Sequence, residues 1–314
     1  MATSTTVTTS YAGEHKKEII SAALLSGNTL SGGGFTIKDN IVYREVIKKL
    51  SVGTSLIKNG ACDFSSAGTV TYSERYVTPE EFGVSLDFCK KDFRNDWAGV
   101  EAGASVNGKF PKAVLDKILA QVTAQVAAEV EANIWHGTNA TAGEVDGIVT
   151  LATADADVID VASPAVGGIT AANVIAELTK AYNAIPKALF GKPDLKMFIA
   201  SDVMQAYVIA LGGFGASGLG ANGVEGKGPQ WYNGQALNFG GVPLYMANGL
   251  NAGYMVVAQT SNLWFGTSLS SDMIDANVVD MKGSDASQNI RIALNFTYGV
   301  NYGFGSEIVL YTPA

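Results

Sequence analysis

The apolar residues between Pro111 and Gly137 constrain this chain more than any other feature. Val114, Ile118, Val122, Val126, Val130 and Ile134 follow one another at a strict spacing of four, with Leu115 and Leu119 beside them. Four residues of α-helix turn about 400°, so the stripe drifts by about 40° at each step. From Val114 to Ile134 it winds about 200° around the axis. Such a helix cannot bury one straight face in one core. Its two ends are expected to pack on different partners, as a spine that ties parts of a molecule together. The pattern closes on Glu131-Ala-Asn-Ile-Trp-His-Gly137, and a polar loop and Asp146-Gly-Ile148 follow.

The chain has 314 residues, enough for one large domain or two ordinary ones without disulfide staples. Only 16% of residues are charged and 36 are glycine, against averages of roughly 25% and about 7%. Interface cores are depleted in charge, so a large assembly explains this composition; a loop-rich monomer is the alternative. Residues 1–112 hold 13 basic and 12 acidic side chains, net +1, while residues 113–314 hold 8 and 17, net −9. No run of Lys or Arg exceeds the pairs Lys16-Lys17, Lys48-Lys49 and Lys90-Lys91. Sequence-independent nucleic-acid binding needs clustered cations, so direct DNA or RNA binding is not expected. Cys62 and Cys89 could pair in an oxidising space, but no spacing rule supports it, and they read as free buried thiols of a reducing cytosol. Met1 to Ser10 is rich in Thr and Ser and does not read as a secretory signal. No stretch reaches the roughly 18 consecutive apolar residues of a membrane span.

Along the chain, residues 1–13 read as a tail and Glu14–Leu25 as a short amphipathic helix. Gly32-Gly-Gly34 is a joint, and Phe35–Ile57 an extended arm with a helical turn at Tyr43–Leu50. Thr69–Val77 and Phe82–Phe88 alternate as half-buried strands do, and are expected to pair as a hairpin-like arm around Pro79. A two-stranded ribbon is marginal alone, so the arm should lie on something else. Asp155–Val161 reads as a strand, Ile169–Ile185 as a helix capped by Thr170, Lys196–Ala200 as a buried strand, and Asp202–Leu211 as a helix N-capped by Asp202. A glycine-rich loop spans Gly212–Gly241. Val242–Met246, Tyr254–Ala258, Asn277–Met281, Ile290–Thr297 and Ile308–Tyr311 read as strands, with Lys282–Asn289 a polar loop.

No motif carries recognisable chemistry. Gly213-Phe-Gly-Ala-Ser-Gly218 matches a dinucleotide fingerprint, but it follows a helix rather than a strand and opens into more glycines. His15 and His136 are the only histidines, and His136 reads as a cap on the negative end of the spine helix. Positions 15, 62, 89 and 136 lack the short spacings of a zinc site. The acidic pairs Glu80-Glu81, Asp155 with Asp157, and Asp272 with Asp275 read as solvated surface rather than facing catalytic carboxylates. No catalytic residue, metal ligand or cofactor is expected.

The serial order of elements says more. An N-terminal arm, an extended β arm and a spine helix ending in Ile134-Trp-His-Gly137 precede Asp146-Gly-Ile148, a mixed α/β part with a glycine-rich loop, and a β return. This order resembles the major capsid proteins of tailed bacteriophages, the Hong Kong 97-like fold. Glu131 to Gly137 with Gly147-Ile148 looks like that family's spine terminus. Phe239-Gly-Gly-Val-Pro-Leu-Tyr245 looks like its Gly-x-Pro-Val strand entry, and Leu263-Trp-Phe-Gly266 resembles the element leading back to its peripheral domain.

The resemblance implies an α+β fold. Residues 1–57 would be an N-terminal arm, 58–98 an extended loop, 99–150 a peripheral domain with the spine helix, 151–265 an axial domain, and 266–314 the peripheral return. It implies a non-enzymatic protein of the virion capsid, assembled in the host cytoplasm into pentamers and hexamers of an icosahedral shell around double-stranded DNA. Scaffolding, portal and decoration proteins would be further partners, and the acidic C-terminal part would let DNA slide without sticking. Assembly contacts are expected at Glu74, Arg75, Tyr76, Lys90, Lys91, Lys282 and Asp285. An encapsulin-type protein compartment shares the fold and is the nearest alternative; a nucleotide-dependent enzyme is the other class.

Overall fold

A computed structural model describes residues 28–53, 56–60, 62, 68–90, 112–161, 167–211, 237–268, 276–284 and 286–313. The expected tail, the helix at 14–25, the fingerprint at 213–218, and Lys91 and Asp285 lie outside them.

The spine forms as α2 (Lys112–His136), after a single turn α1 (Asn28–Ser31). Its deepest line is Leu115, Leu119, Thr123, Ala127, Glu131 and Trp135, all buried. That line is itself a row of four-residue steps, one position over from the expected valine row. Ile118, Val122 and Val126 flank it half-buried, and Val130 and Ile134 flank it fully buried. Leu115 and Leu119 pack with Val278, Ile290, Ile292 and Leu294 in one small core. Val130, Ile134 and Trp135 belong to the large core, and Val126 touches both. The two ends do have different partners, as the winding stripe requires.

The small core lies on a five-stranded sheet. Its centre is the long strand β12 (Asn289–Tyr302). One side of β12 carries β4 (Glu80–Cys89), antiparallel along ten residue pairs. β11 (Ala276–Asp280) and β10 (Leu263–Gly266) also run antiparallel to β12, and β1 (Thr36–Lys38) adds to β10 in parallel. The large core surrounds a six-stranded sheet in the order β5 (Ile159–Asp160), β13 (Val309–Tyr311), β9 (Met255–Gln259), β6 (Leu195–Ile199), β8 (Val242–Met246), β7 (Asn238–Phe239). Every residue of β9 is buried, as a central strand covered on both faces must be. Helices α3 (Ile148–Ala154), α4 (Val174–Asn183) and α5 (Ser201–Leu211) bury Ile148, Leu178 and Val203 against it. No helix among the described residues is long and apolar enough to cross a membrane.

Four expectations are corrected. Tyr43–Leu50 is not a helical turn: β2 (Glu45–Val52) is a strand, and it pairs with β3 (Val70–Val77) along its whole length. β3 and β4 therefore do not form a hairpin with each other. Only Thr78 and Pro79 separate them: a type I′ hairpin turn needs left-handed backbone that the proline ring forbids at the second position, and a type II′ turn needs it at Thr78, a β-branched residue. The chain instead leaves the ribbon and enters the five-stranded sheet. α4 starts at Val174, because Thr170 spends its amide and hydroxyl on the Asn173 side chain in a preceding turn. Asp202 sits inside the first turn of α5, where its charge faces the positive helix end rather than capping it. β4 thus joins the five-stranded sheet and β13 the six-stranded one.

Candidate assembly surfaces

The β2–β3 ribbon has two unlike faces. The register sets Val46 opposite Tyr76, Lys48 opposite Glu74, Leu50 opposite Tyr72 and Val52 opposite Val70. Side chains alternate across a strand, so these eight share one face. Apart from the Lys48 and Glu74 positions it is apolar, yet Leu50 is 61% exposed, Val52 47%, Val70 68% and Tyr72 57%. The opposite face carries Ile47 opposite Arg75, Lys49 opposite Ser73 and Ser51 opposite Thr71. Only the root of this second face meets its own chain, at Ile47, Lys49, Arg75 and Val77, while Ser51, Thr71 and Ser73 are as exposed as the apolar face. A contiguous exposed apolar surface on a marginal two-stranded element marks an interaction site.

The root is fastened in two ways. Ile47 and Val77 bury with Ile41 under Trp264. Arg75 pairs with the Asp155 carboxylate at the C-terminal end of α3, and its guanidinium lies 4.3 Å from the centre of the Tyr302 ring. The Tyr302 hydroxyl donates to the same Asp155 oxygen at 2.8 Å, closing a triad. Burial alone would push Asp155 up, but the Asp157 amide, the Tyr302 hydroxyl and Arg75 outweigh it and hold its pKa below the ordinary carboxylate value. Burial raises Tyr302 to about 12. The Asn301 amide also donates to the Tyr76 carbonyl at 2.7 Å, and the Lys49 ammonium lies 5.4 Å from the Phe304 ring.

The expected contact residues therefore divide. Arg75 is committed to its own chain. So is Lys90, which is buried and pairs with Asp280. Glu74, Tyr76 and Lys282 lie on the surface. The Tyr76 hydroxyl donates to Glu74 at 3.1 Å, and the Arg44 guanidinium stacks 4.4 Å over the Tyr76 ring. Arg44 and the apolar face of the ribbon escaped sequence reasoning. The alternation of Val46, Leu50 and Val52 with polar residues is the signal of that face.

The C-terminal end of the spine is a buried polar junction. The Glu131 carboxylate accepts from the Thr29 amide at 3.3 Å, from the Thr29 hydroxyl and from the Gly249 amide. The Trp135 indole donates to the Thr29 hydroxyl at 3.1 Å. Burial still raises the Glu131 pKa over these donors. Gly249 must be glycine, since a Cβ there would stand 2.0 Å from the Glu131 carbonyl oxygen. Gly147 is excluded from larger residues in the same way, 2.5 Å from the Trp135 carbonyl carbon, which accounts physically for the Asp146-Gly-Ile148 run. His136 does not work as a charged cap. Its Nε2 accepts from the Asn251 amide at 3.0 Å, its ring lies edge-on to Tyr254, and burial lowers its pKa to about 4. A neutral imidazole cannot offset the helix dipole.

The two cysteines are free but not buried as expected: Cys62 is exposed and Cys89 half-buried. Among the described residues no group of three or more His, Cys, Asp or Glu side chains is placed to hold a metal ion.

No protein-family model matches the chain. No curated protein matches it in sequence. Solved structures do. A chain from Gordonia phage Cozz is similar over 91% of this chain and 86% of its own, at 15% identity and a TM-score of 0.58. A chain of the capsid of the native GTA particle matches over 93% and 90%, at 12% identity and a TM-score of 0.59. A chain from Mycobacterium phage Cain matches over 92% and 90%, at 14% identity and a TM-score of 0.56. The mixed helix-and-sheet fold of this chain is similar to that of these phage and capsid structures.

Proposed function

We propose that this chain is the major capsid protein of a tailed bacteriophage, with the Hong Kong 97-like architecture. It self-assembles into pentamers and hexamers of an icosahedral shell that encloses double-stranded DNA. It works as a building unit, without catalysis or cofactor, in the virion after assembly in the host cytoplasm. The observation that carries this reading is the apolar face of the β2–β3 ribbon, exposed in the single chain and placed on a fold shared with capsid subunits. A second copy covering that face removes it from water.

In this reading residues 1–57 form the N-terminal arm, 58–98 the extended loop, 99–150 and 266–314 the peripheral domain, and 151–265 the axial domain. The ribbon draws on both sides of the first division. Glu74, Tyr76, Lys282, Lys91 and Asp285 remain candidate contacts between copies, while Arg75 and Lys90 act by fixing the elements that make them. The net −9 of residues 113–314 keeps packaged DNA from adhering if that part lines the interior. Scaffolding, portal and decoration proteins are the further partners.

Expression of the full chain followed by electron cryomicroscopy tests the proposal. Closed icosahedral particles of pentamers and hexamers are expected. A stable monodisperse monomer overturns it, and uniform small shells loaded with host protein favour the encapsulin-type compartment instead.

A further inference from the structure

Two Asn-Gly dipeptides lie within the described residues, and their surroundings are opposite. Asn59-Gly60 lies in the exposed stretch 56–60 between β2 and β3, outside any regular element. A Cβ at Gly60 would meet nothing within 4 Å. Among the described residues no hydrogen bond holds the Gly60 amide or the Asn59 side chain. In Asn248-Gly249 the Gly249 amide donates to the buried Glu131 carboxylate, the Asn248 amide donates to Asn28 Oδ1 at 3.1 Å, and Gly249 is buried.

An asparagine amide is attacked by the backbone nitrogen that follows it when that nitrogen is unbonded, when the side chain can rotate onto it, and when the next residue carries no side chain to block the approach. Gly60 meets all three conditions and Gly249 fails the first, its nitrogen being bonded to Glu131. We propose that Asn59 is a self-modifying position that converts to aspartate and isoaspartate. The Gly60 nitrogen loses its proton to solvent base and bonds to Asn59 Cγ. The Cγ–Nδ2 bond breaks and ammonia leaves, taking a proton from water. Water then opens the five-membered ring. Addition at Cγ gives aspartate; addition at the main-chain carbonyl gives isoaspartate, with the backbone running through the side chain. No enzyme, oxidant or cofactor is required, and the rate rises with hydroxide.

The consequence rests on the assembly reading above. The modification adds a negative charge to the loop of the ribbon, and in the isoaspartate form an extra backbone carbon. A free subunit therefore ages at the element it presents to a neighbour, whereas a seated loop is held and shielded. Asn59 would separate fresh subunits from old ones.

The experiment is peptide mapping by mass spectrometry on the purified full chain, incubated in mildly acidic and mildly alkaline buffer. A Gly60→Ala variant is run in parallel; the open space at Gly60 and its ordinary backbone make that variant a benign one. The Asn59 peptide is expected to gain the mass of an amide-to-acid exchange, faster in alkali, and to become a substrate for an isoaspartate methyltransferase. The Asn248 peptide is expected to stay unchanged, and Gly60→Ala to slow the conversion at Asn59 several-fold. These readouts need no particle, so they stand or fall apart from the assembly reading. Conversion at Asn59 no faster than at Asn248, or undiminished in Gly60→Ala, overturns the proposal.

Discussion

Two titratable residues at the end of the spine, buried Glu131 and half-buried His136, pull stability in opposite directions with pH. His136 has its folded pKa lowered from 6.5 to about 4 by burial. The unfolded chain binds the extra proton first, so stability falls as pH drops from 6.5 towards 4, by less than the full shift would give because solvent partly screens the half-buried ring. Denaturant titrations of wild type and His136→Asn at neutral pH and near the lower limit should differ, with the variant losing less on acidification. Glu131 behaves oppositely. Its pKa is raised by burial, so folding takes up a proton there and its ionic cost recedes as pH falls through the raised value. Glu131→Gln keeps an acceptor for the Thr29 amide and should flatten that part of the profile. Glu131→Ala leaves buried donors on Thr29 and Gly249 unmatched and should cost about 1–3 kcal/mol. A Glu131→Ala chain as stable as wild type would remove the junction from the account. Neither residue was legible in sequence for what it does. His136 was placed correctly at the helix end, but its charge state depends on Asn251 and Tyr254, which lie far along the chain. Glu131 was seen only as part of a terminal motif, because its partner Thr29 is 102 residues away.

Among the elements, the spine was the most legible and the ribbon the least. A 25-residue helix carries its own period, and the winding of its stripe follows from helix geometry. What periodicity could not supply was the deepest line, since Thr123, Ala127 and Glu131 are not apolar markers. Leu119 is one of the anchors in the smaller core. Leu119→Ala should destabilise by about 2–5 kcal/mol, and hydrogen exchange should accelerate first in β11, β12 and β4 if that core is the one disturbed. Strand pairing is a long-range choice. The alternation of 70–77 and 82–88 was plain, but their partners, β2 and β12, were set by Pro79 and by a strand more than 200 residues later. The Arg75–Asp155–Tyr302 triad orients the ribbon on the body. Arg75→Ala is expected to leave the fold in place, since Ile47 and Val77 still anchor the root, while loosening the ribbon's direction. Circular dichroism should be unchanged and particle yield should fall; full particle yield would show that the triad does not orient the ribbon for assembly.

At the scale of the whole molecule, the order of elements was legible although no family model and no curated sequence matches the chain. Order survives because each element is tied to a sheet that needs it: β12 requires β4, β10 and β11, and the spine requires both cores. Side-chain identity is far less constrained, which fits 15% identity alongside a TM-score of 0.58. The composition points the same way, for a chain with 16% charged residues has limited means of keeping an exposed apolar ribbon apart from other copies. The decisive prediction concerns that ribbon. Leu50 and Tyr72 face each other across β2 and β3 and are both more than half exposed, so replacing both by aspartate removes little buried area within the subunit. Exposed substitutions away from packed features usually change stability by about 0.5 kcal/mol or less, although two carboxylates in register add some repulsion. Leu50→Asp with Tyr72→Asp should therefore give a folded, soluble chain with a nearly unchanged denaturation midpoint. The same two charges would be buried without partners wherever a second copy covers the face, at a cost of several kcal/mol per contact. Repeated over every contact of a closed shell, that penalty should abolish particles in sedimentation and electron microscopy. Wild-type particle yield from the double variant would place the assembly contact elsewhere on the chain.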